Sequence, residues 1–124
     1  MKMILLVEDS KFLRLASERL LKKAGYAVVS TDDGEQALRL AQERLPDAIL
    51  LDMLLPNLGG DQILRLLKND PITAQIPVVV LSSLSQRNEG RLIQDGAAAY
   101  FEKSKLDLES GCSALLQVVD AAMN

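Results

Sequence analysis

The chain has no histidine and no tryptophan, a single cysteine (Cys112), and only 3% aromatic residues. Lacking histidine, it can build no imidazole general base, no His-containing triad, no His-ligated metal site and no self-phosphorylating histidine. A lone cysteine excludes an internal disulfide and any CxxC site, as suits a reducing compartment. Two phenylalanines and two tyrosines offer little on which to stack nucleobases. Basic residues are the minority, 14 against 17 acidic, for a formal net charge of -3. That balance gives no electrostatic reason to bind a phosphate backbone, so direct nucleic-acid binding is not expected. There is no apolar run approaching the roughly 18 residues of a membrane span. The start, Met1-Lys2-Met3-Ile4-Leu5-Leu6-Val7, reaches Glu8-Asp9 too soon for a signal peptide. A soluble cytoplasmic protein without membrane insertion is the expectation. What remains is 124 residues, 48% hydrophobic and 25% charged, enough for one globular domain over residues 1–124.

Four short apolar segments recur, Met3–Val7, Ala27–Val29, Ala48–Leu51 and Val78–Leu81, and a weaker fifth follows at Ala98–Phe101. Their continuous hydrophobicity is that of parallel strands covered on both faces. Helical spacing fills the intervals. The first helix is expected over Lys11–Ala24, between Ser10 as N-cap and Gly25 as left-handed cap, with Leu13, Ala16, Leu20 and Ala24 on its buried stripe. The second, near Glu35–Arg44, has Asp32 before it and Glu35 as capping-box partner. The third lies near Asp61–Asn69 and stops before Pro71. The fourth, Ser85–Asp95, is polar and carries Gly90, which costs roughly 1 kcal/mol against alanine, so a short or mobile helix is expected. The fifth, Asp107–Met123, sets Leu108, Cys112, Leu115, Val119 and Ala122 on one face. Five βα units predict a doubly wound α/β fold, (βα)5, with right-handed crossovers and strand order 2-1-3-4-5. Ligands of such sheets sit at the carboxyl ends of strands 1 and 3.

Acids stand at both places, Glu8-Asp9 after the first strand and Asp52 after the third. Taken singly, each is an ordinary solvated loop-end charge. Converging carboxylates, however, repel one another unless a cation or protons intervene. All-oxygen ligands favour a hard ion, and Mg²⁺ is the usual one where water and phosphate complete the shell. Ser82 after the fourth strand adds a hydroxyl and Lys103 after the fifth adds a cation. Three acids, a hydroxyl and a lysine at one rim suit phosphoryl transfer, with a carboxylate as nucleophile.

At this point the sequence resembles the receiver domain of two-component response regulators, a flavodoxin-like fold. The resemblance rests on Leu6-Val7-Glu8-Asp9, on the segment from Leu51-Asp52 through Pro56 to Gly59-Gly60, on Val80-Leu81-Ser82-Ser83 and on Ala99-Tyr100-Phe101-Glu102-Lys103. It implies that Asp52 accepts a phosphoryl group from a histidine on a sensor kinase or histidine phosphotransfer protein. It further implies Mg²⁺ held by Glu8, Asp9, Asp52 and the backbone carbonyl of Leu54, with Glu8 acting mainly through metal-bound water. Ser82 and Tyr100 would form the switch pair and Lys103 would meet the phosphate or Asp52. The signal would pass to a downstream protein through the surface of helix 4, strand 5 and helix 5, with homodimerisation left open. Such a chain is a signalling switch that accepts a phosphoryl group, and that loses it by autodephosphorylation, rather than a turnover enzyme.

Two departures from the family pattern matter. Lys103 is followed by Ser104 where the family usually has proline, and a non-proline cis bond costs roughly 3–4 kcal/mol, so the cis geometry does not carry over. Ser82 replaces the commoner threonine and keeps the hydroxyl. Leu54 and Leu84, which flank the phosphate by resemblance, are both apolar and cannot orient an attacking water, which predicts a comparatively long-lived acyl phosphate. Phe12 and Leu15, beside the buried stripe of the first helix and one turn from the acid pair, read as a docking patch for the kinase or as packing at the helix edge. Three alternatives share parts of the pattern. A flavin carrier of the same sheet would need a Ser/Thr/Gly-rich phosphate loop where Glu8-Asp9 stands. A phosphatase with an aspartyl intermediate would place a second acid at position 54. A degenerate receiver would be a constitutive interaction module, yet all five site residues are present. Nothing follows Asn124, so no output domain is expected here, whether the receiver stands alone or was cut from a longer polypeptide.

Overall fold

The computed structural model describes residues 1–53, 55, 58–82, 89–103 and 112–124. Strands β1 (Met3–Val7), β2 (Ala27–Thr31), β3 (Ala48–Asp52), β4 (Val78–Ser82) and β5 (Ala99–Glu102) alternate with helices α1 (Lys11–Lys23), α2 (Gly34–Arg44), α3 (Gly60–Asn69), α4 (Glu89–Gln94) and α5 (Cys112–Met123). All four ladders are parallel and the order is β2-β1-β3-β4-β5, as the pattern of the chain predicts. β3 and β4 are buried along their whole length because helices cover both faces, which is why they read as unbroken apolar runs.

Strand alternation divides the core in two. Leu5, Val7, Ile49, Leu51, Val78 and Val80 face α2, α3 and α4, where Ala37, Ala41, Ile63, Leu64, Leu67 and Leu92 complete one cluster. Ile4, Leu6, Ala48, Leu50, Val79 and Leu81 face α1 and α5, where Leu21, Leu115 and Val119 complete the other. Burying one such side chain is worth about 1.5–3 kcal/mol, so the sheet is the rigid part of the molecule.

Several expected boundaries move. β2 continues two residues past its apolar run, because Ser30 and Thr31 still pair with Leu6 and Val7. β3 and β4 each take in their terminal polar residue, Asp52 and Ser82, and β5 runs Ala99–Glu102 rather than from Ala98. The cap of α2 is Asp33, not Asp32: its backbone is extended and its carboxylate accepts from the Gln36 amide at 3.3 Å. Glu35 is not its capping-box partner; the Gln36 side chain instead bonds the Thr31 hydroxyl. On α1 the buried residues are Ser17 and Leu21, one position round from the expected stripe; Leu13, Ala16 and Leu20 are half-buried and Ala24 is exposed. Periodicity locates the centre of an apolar arc only to about a residue, and a small serine at that centre gives no hydropathy signal. Ser10 does cap α1, accepting from the Leu13 amide at 3.3 Å, and Gly25 ends it at φ +98°. α4 is short, as its composition predicts, and closes at Gly96 with φ +108°. The expected helical residues 85–88 and 107–111, Leu108 among them, lie outside the described residues, as does the side chain of Cys112.

Candidate functional site

Polar residues close or directly follow the strands at one rim, because the carboxyl ends of parallel strands all lie on one edge. Glu8 follows β1, its amide donating to the Thr31 carbonyl at 3.0 Å. Asp52 is the last residue of β3, and the amide of the next residue, Met53, donates to the Leu81 carbonyl at 3.0 Å. Both acids are 1% exposed, whereas Asp9 faces solvent. Their ligand oxygens and that of Asp9 all lie within 4.8 Å of one another.

Lys103, one residue beyond β5, reaches across the rim. Its Nζ stands 2.9 Å from Glu8 Oε1 and 3.0 Å from Asp52 Oδ2. Burial pushes the Lys103 pKa down, but hydrogen bonds and charge from Glu8 and Asp52 outweigh it and leave the value raised. The ammonium is therefore the fixed countercharge of two buried carboxylates. One ammonium against three carboxylates leaves a surplus of negative charge at the rim. The donor set is all oxygen, with neither histidine nor cysteine, and is the right size for a hard octahedral ion, whose opposite ligands stand about 4 Å apart. The cluster fits such a cation on its chemistry and its spacing.

Ser82 is buried at the end of β4 and shares its face of the sheet with Val78 and Val80. Tyr100 lies half-buried against the same cluster, its register partner being Val80. Hydroxyl and ring thus occupy the α4 side of the sheet, near the rim. Phe12 and Leu15 on α1 are 67% and 49% exposed. Leu54, Leu84 and Ser104, with the metal-carbonyl, phosphate-flanking and peptide-geometry readings attached to them, lie outside the described residues.

Three residues support the site in ways that only the folded chain shows. Ser10, read only as a cap, also donates its amide to Glu8 Oε2 at 3.2 Å. Arg14 Nη1 donates to the Glu8 carbonyl at 3.0 Å. The signal for it was a long basic residue in the first turn of the helix after the acid pair, where side chains lean toward the helix N-terminus. Gly60 lets α3 press against the end of β3: a Cβ there would lie 2.5 Å from the Asp52 carbonyl oxygen. Its amide donates to the Met53 carbonyl at 3.1 Å.

Known proteins resemble this chain in sequence and in fold. The family model for the response regulator receiver domain matches residues 4–114. The chain is 39% identical over 118 residues to a gliding motility regulatory protein of Myxococcus xanthus, covering 94% of this chain and 15% of that one. It thus spans a small part of that relative's length. Against the polar-differentiation response regulator DivK of Brucella anthropi it is 34% identical over 103 residues, 82% of this chain and 84% of that one. The crystal structure of a receiver domain from a Pseudomonas aeruginosa sensor histidine kinase, with a magnesium ion coordinated in its active-site cleft, superposes with a TM-score of 0.86. That pair is 28% identical, over 98% of this chain and 97% of the other. Among the described residues no helix is long and apolar enough to cross a membrane.

Proposed function

The chain belongs to the response regulator receiver domain family of two-component signalling, and from that premise we propose that Asp52 accepts a phosphoryl group from a partner's phosphohistidine, with Mg²⁺ as cofactor. The observation that carries this reading is the convergence of Glu8, Asp9 and Asp52 within 4.8 Å, bridged by Lys103. Glu8, Asp9 and Asp52 would hold the ion. When bound, it supplies charge neutralisation for phosphoryl oxygens beside the acids. With no histidine among these 124 residues, the donor imidazole would come from outside them, as on a sensor kinase or a phosphotransfer protein.

In the transfer, an Asp52 carboxylate oxygen bonds phosphorus while the phosphorus–nitrogen bond to the donor imidazole breaks, its electron pair returning to the ring nitrogen. Lys103, already paired with Asp52, stays charged and offsets the arriving negative charge. The phosphorylated aspartate adds roughly -1.5 to -2 charge and strong acceptor oxygens. The Ser82 hydroxyl donates to them, and Tyr100, on the same face, follows the vacated space. The surface of α4, β5 and α5 changes in consequence and is read by a downstream protein. The protein works as a switch and not as a turnover enzyme.

Acetyl phosphate tests the reading directly. Intact-mass measurement with Mg²⁺ should show one labile phosphoryl group, absent in Asp52→Asn and absent with chelator. No labile mass on the wild type would exclude phosphoacceptor chemistry, and continuous release of inorganic phosphate would favour a phosphatase. Phe12 and Leu15, exposed beside the acid pair, serve as the docking patch for the phosphodonor. Replacing both by alanine should slow transfer from the donor protein about tenfold or more, as loss of two anchoring side chains at about 1 kcal/mol or more each implies. Phosphorylation by acetyl phosphate should be unaffected; unchanged kinetics with the donor protein would end the idea.

A further inference from the structure

We infer that Arg14 is a positioning residue that sets the direction of the Glu8-Asp9 acid pair and thereby the affinity of the rim for a divalent cation. The inference rests on the reading that these acids hold one. Its basis is the set of groups that grip the chain just after β1. The Glu8 amide is held by the Thr31 carbonyl at 3.0 Å, and the Glu8 side chain by the Ser10 amide and by Lys103. The Glu8 carbonyl, at 3.0 Å from Arg14 Nη1, is the oxygen of the Glu8–Asp9 peptide.

A peptide unit turns as a rigid plane. Fixing its oxygen therefore fixes the direction in which Asp9 leaves the backbone. Glu8 is buried and steered through its own side chain, whereas Asp9 is exposed and its direction comes from the main chain. Arg14 is half-buried in the first turn of α1, and its guanidinium reaches back to the carbonyl. Groups that orient metal ligands from behind in this way typically change metal affinity 10- to 100-fold.

Charge and geometry make opposite demands here, and that opposition makes the inference testable. The positive charge of Arg14 repels an incoming cation, so simple loss of charge would tighten binding. Loss of the bond to the Glu8 carbonyl releases Asp9 and weakens it. Mg²⁺ titration of the unphosphorylated protein, followed by amide NMR shifts, is read beside apo thermal unfolding. Arg14→Met should weaken Mg²⁺ binding about tenfold or more. Arg14→Lys, which keeps donor and charge, should recover most of the loss. Arg19→Met, removing an exposed charge from the same helix, should leave the affinity unchanged or slightly tighter. If Arg14→Met does not fold, Arg14→Gln, with a neutral donor too short to reach as far, replaces it under the same criterion. Equal or tighter binding in the Arg14 variant overturns the inference, even if its unfolding temperature falls, because a purely structural residue would change only the latter. Wild-type protein without saturable Mg²⁺ binding would instead overturn the metal reading itself, and the inference with it.

Discussion

Lys68 shows how one residue can tie three parts of the chain. From α3 its Nζ donates to the carbonyls of Ala74 and Ile76, at 3.1 and 2.7 Å, before β4 begins. Its aliphatic stem passes over Gly96, where a Cβ would lie 2.7 Å from Lys68 Cγ. Burial lowers its pKa. Below that lowered value the amine is charged both folded and unfolded, and the folded state bears the desolvation penalty. Between the lowered value and the unfolded value near 10.4, the unfolded chain binds more protons, so stability rises with pH; above about 10.4 the gain is complete. Lys68→Met should cost about 1–2 kcal/mol at pH 7, through two carbonyls losing their donor. Urea unfolding of both proteins from pH 7 to 10.5 should show the wild type's advantage widening as pH rises. A constant or narrowing advantage would contradict the assignment.

At the scale of elements, the site depends on how closely α3 approaches β3. Gly60 opens α3 directly under the end of the strand that carries Asp52, and only a residue without Cβ fits against the Asp52 and Met53 backbone. Gly60→Ala must push helix and strand apart, and overpacking of this kind costs about 1–3 kcal/mol. The displacement falls on Asp52, so phosphorylation by acetyl phosphate should slow along with the loss of stability. Chemical denaturation and intact-mass kinetics measure the two together; a variant as stable and as fast as wild type would show that the helix yields without effect. Gly90, in contrast, marks α4 as weak: the helix has six residues and a polar sequence. A short element with Leu92 as its described core anchor can change its position at small cost, which suits the surface that phosphorylation is proposed to alter.

For the whole molecule, the rim holds mutual repulsion that a bound cation would relieve. An ion that binds only the folded chain stabilises all of it, by about 2.7 kcal/mol at a hundredfold excess over Kd. For a domain of this size that corresponds to roughly 10 °C in Tm. Calorimetry with and without Mg²⁺ should show such a rise in wild type and a much smaller one in Asp9→Asn. An equal rise in the variant would place the ion elsewhere.

The order of elements, the topology and the placing of Glu8, Asp9, Asp52, Ser82 and Lys103 at one rim could all be read from the chain. Their signals are local: apolar runs buried on both faces, a polar residue closing each run, and motif spacing that covers most of the length. Less could be read wherever the deciding partner is remote in sequence. The cap of α2 moved to Asp33 because ladder pairing extends β2, and the stripe on α1 turned by a residue because Ser17 is buried by neighbours and not by its own polarity. The missing histidine, by itself, shows that these 124 residues carry no phosphohistidine of their own. Only the tertiary structure decided where Lys103 points, since 95 residues separate it from Glu8 and the contact exists only when β5 and β1 share a sheet. The same holds for the grip of Arg14 on the Glu8 carbonyl. Sequence determines which charges meet at a sheet edge, because every parallel strand ends there; packing determines how they face one another.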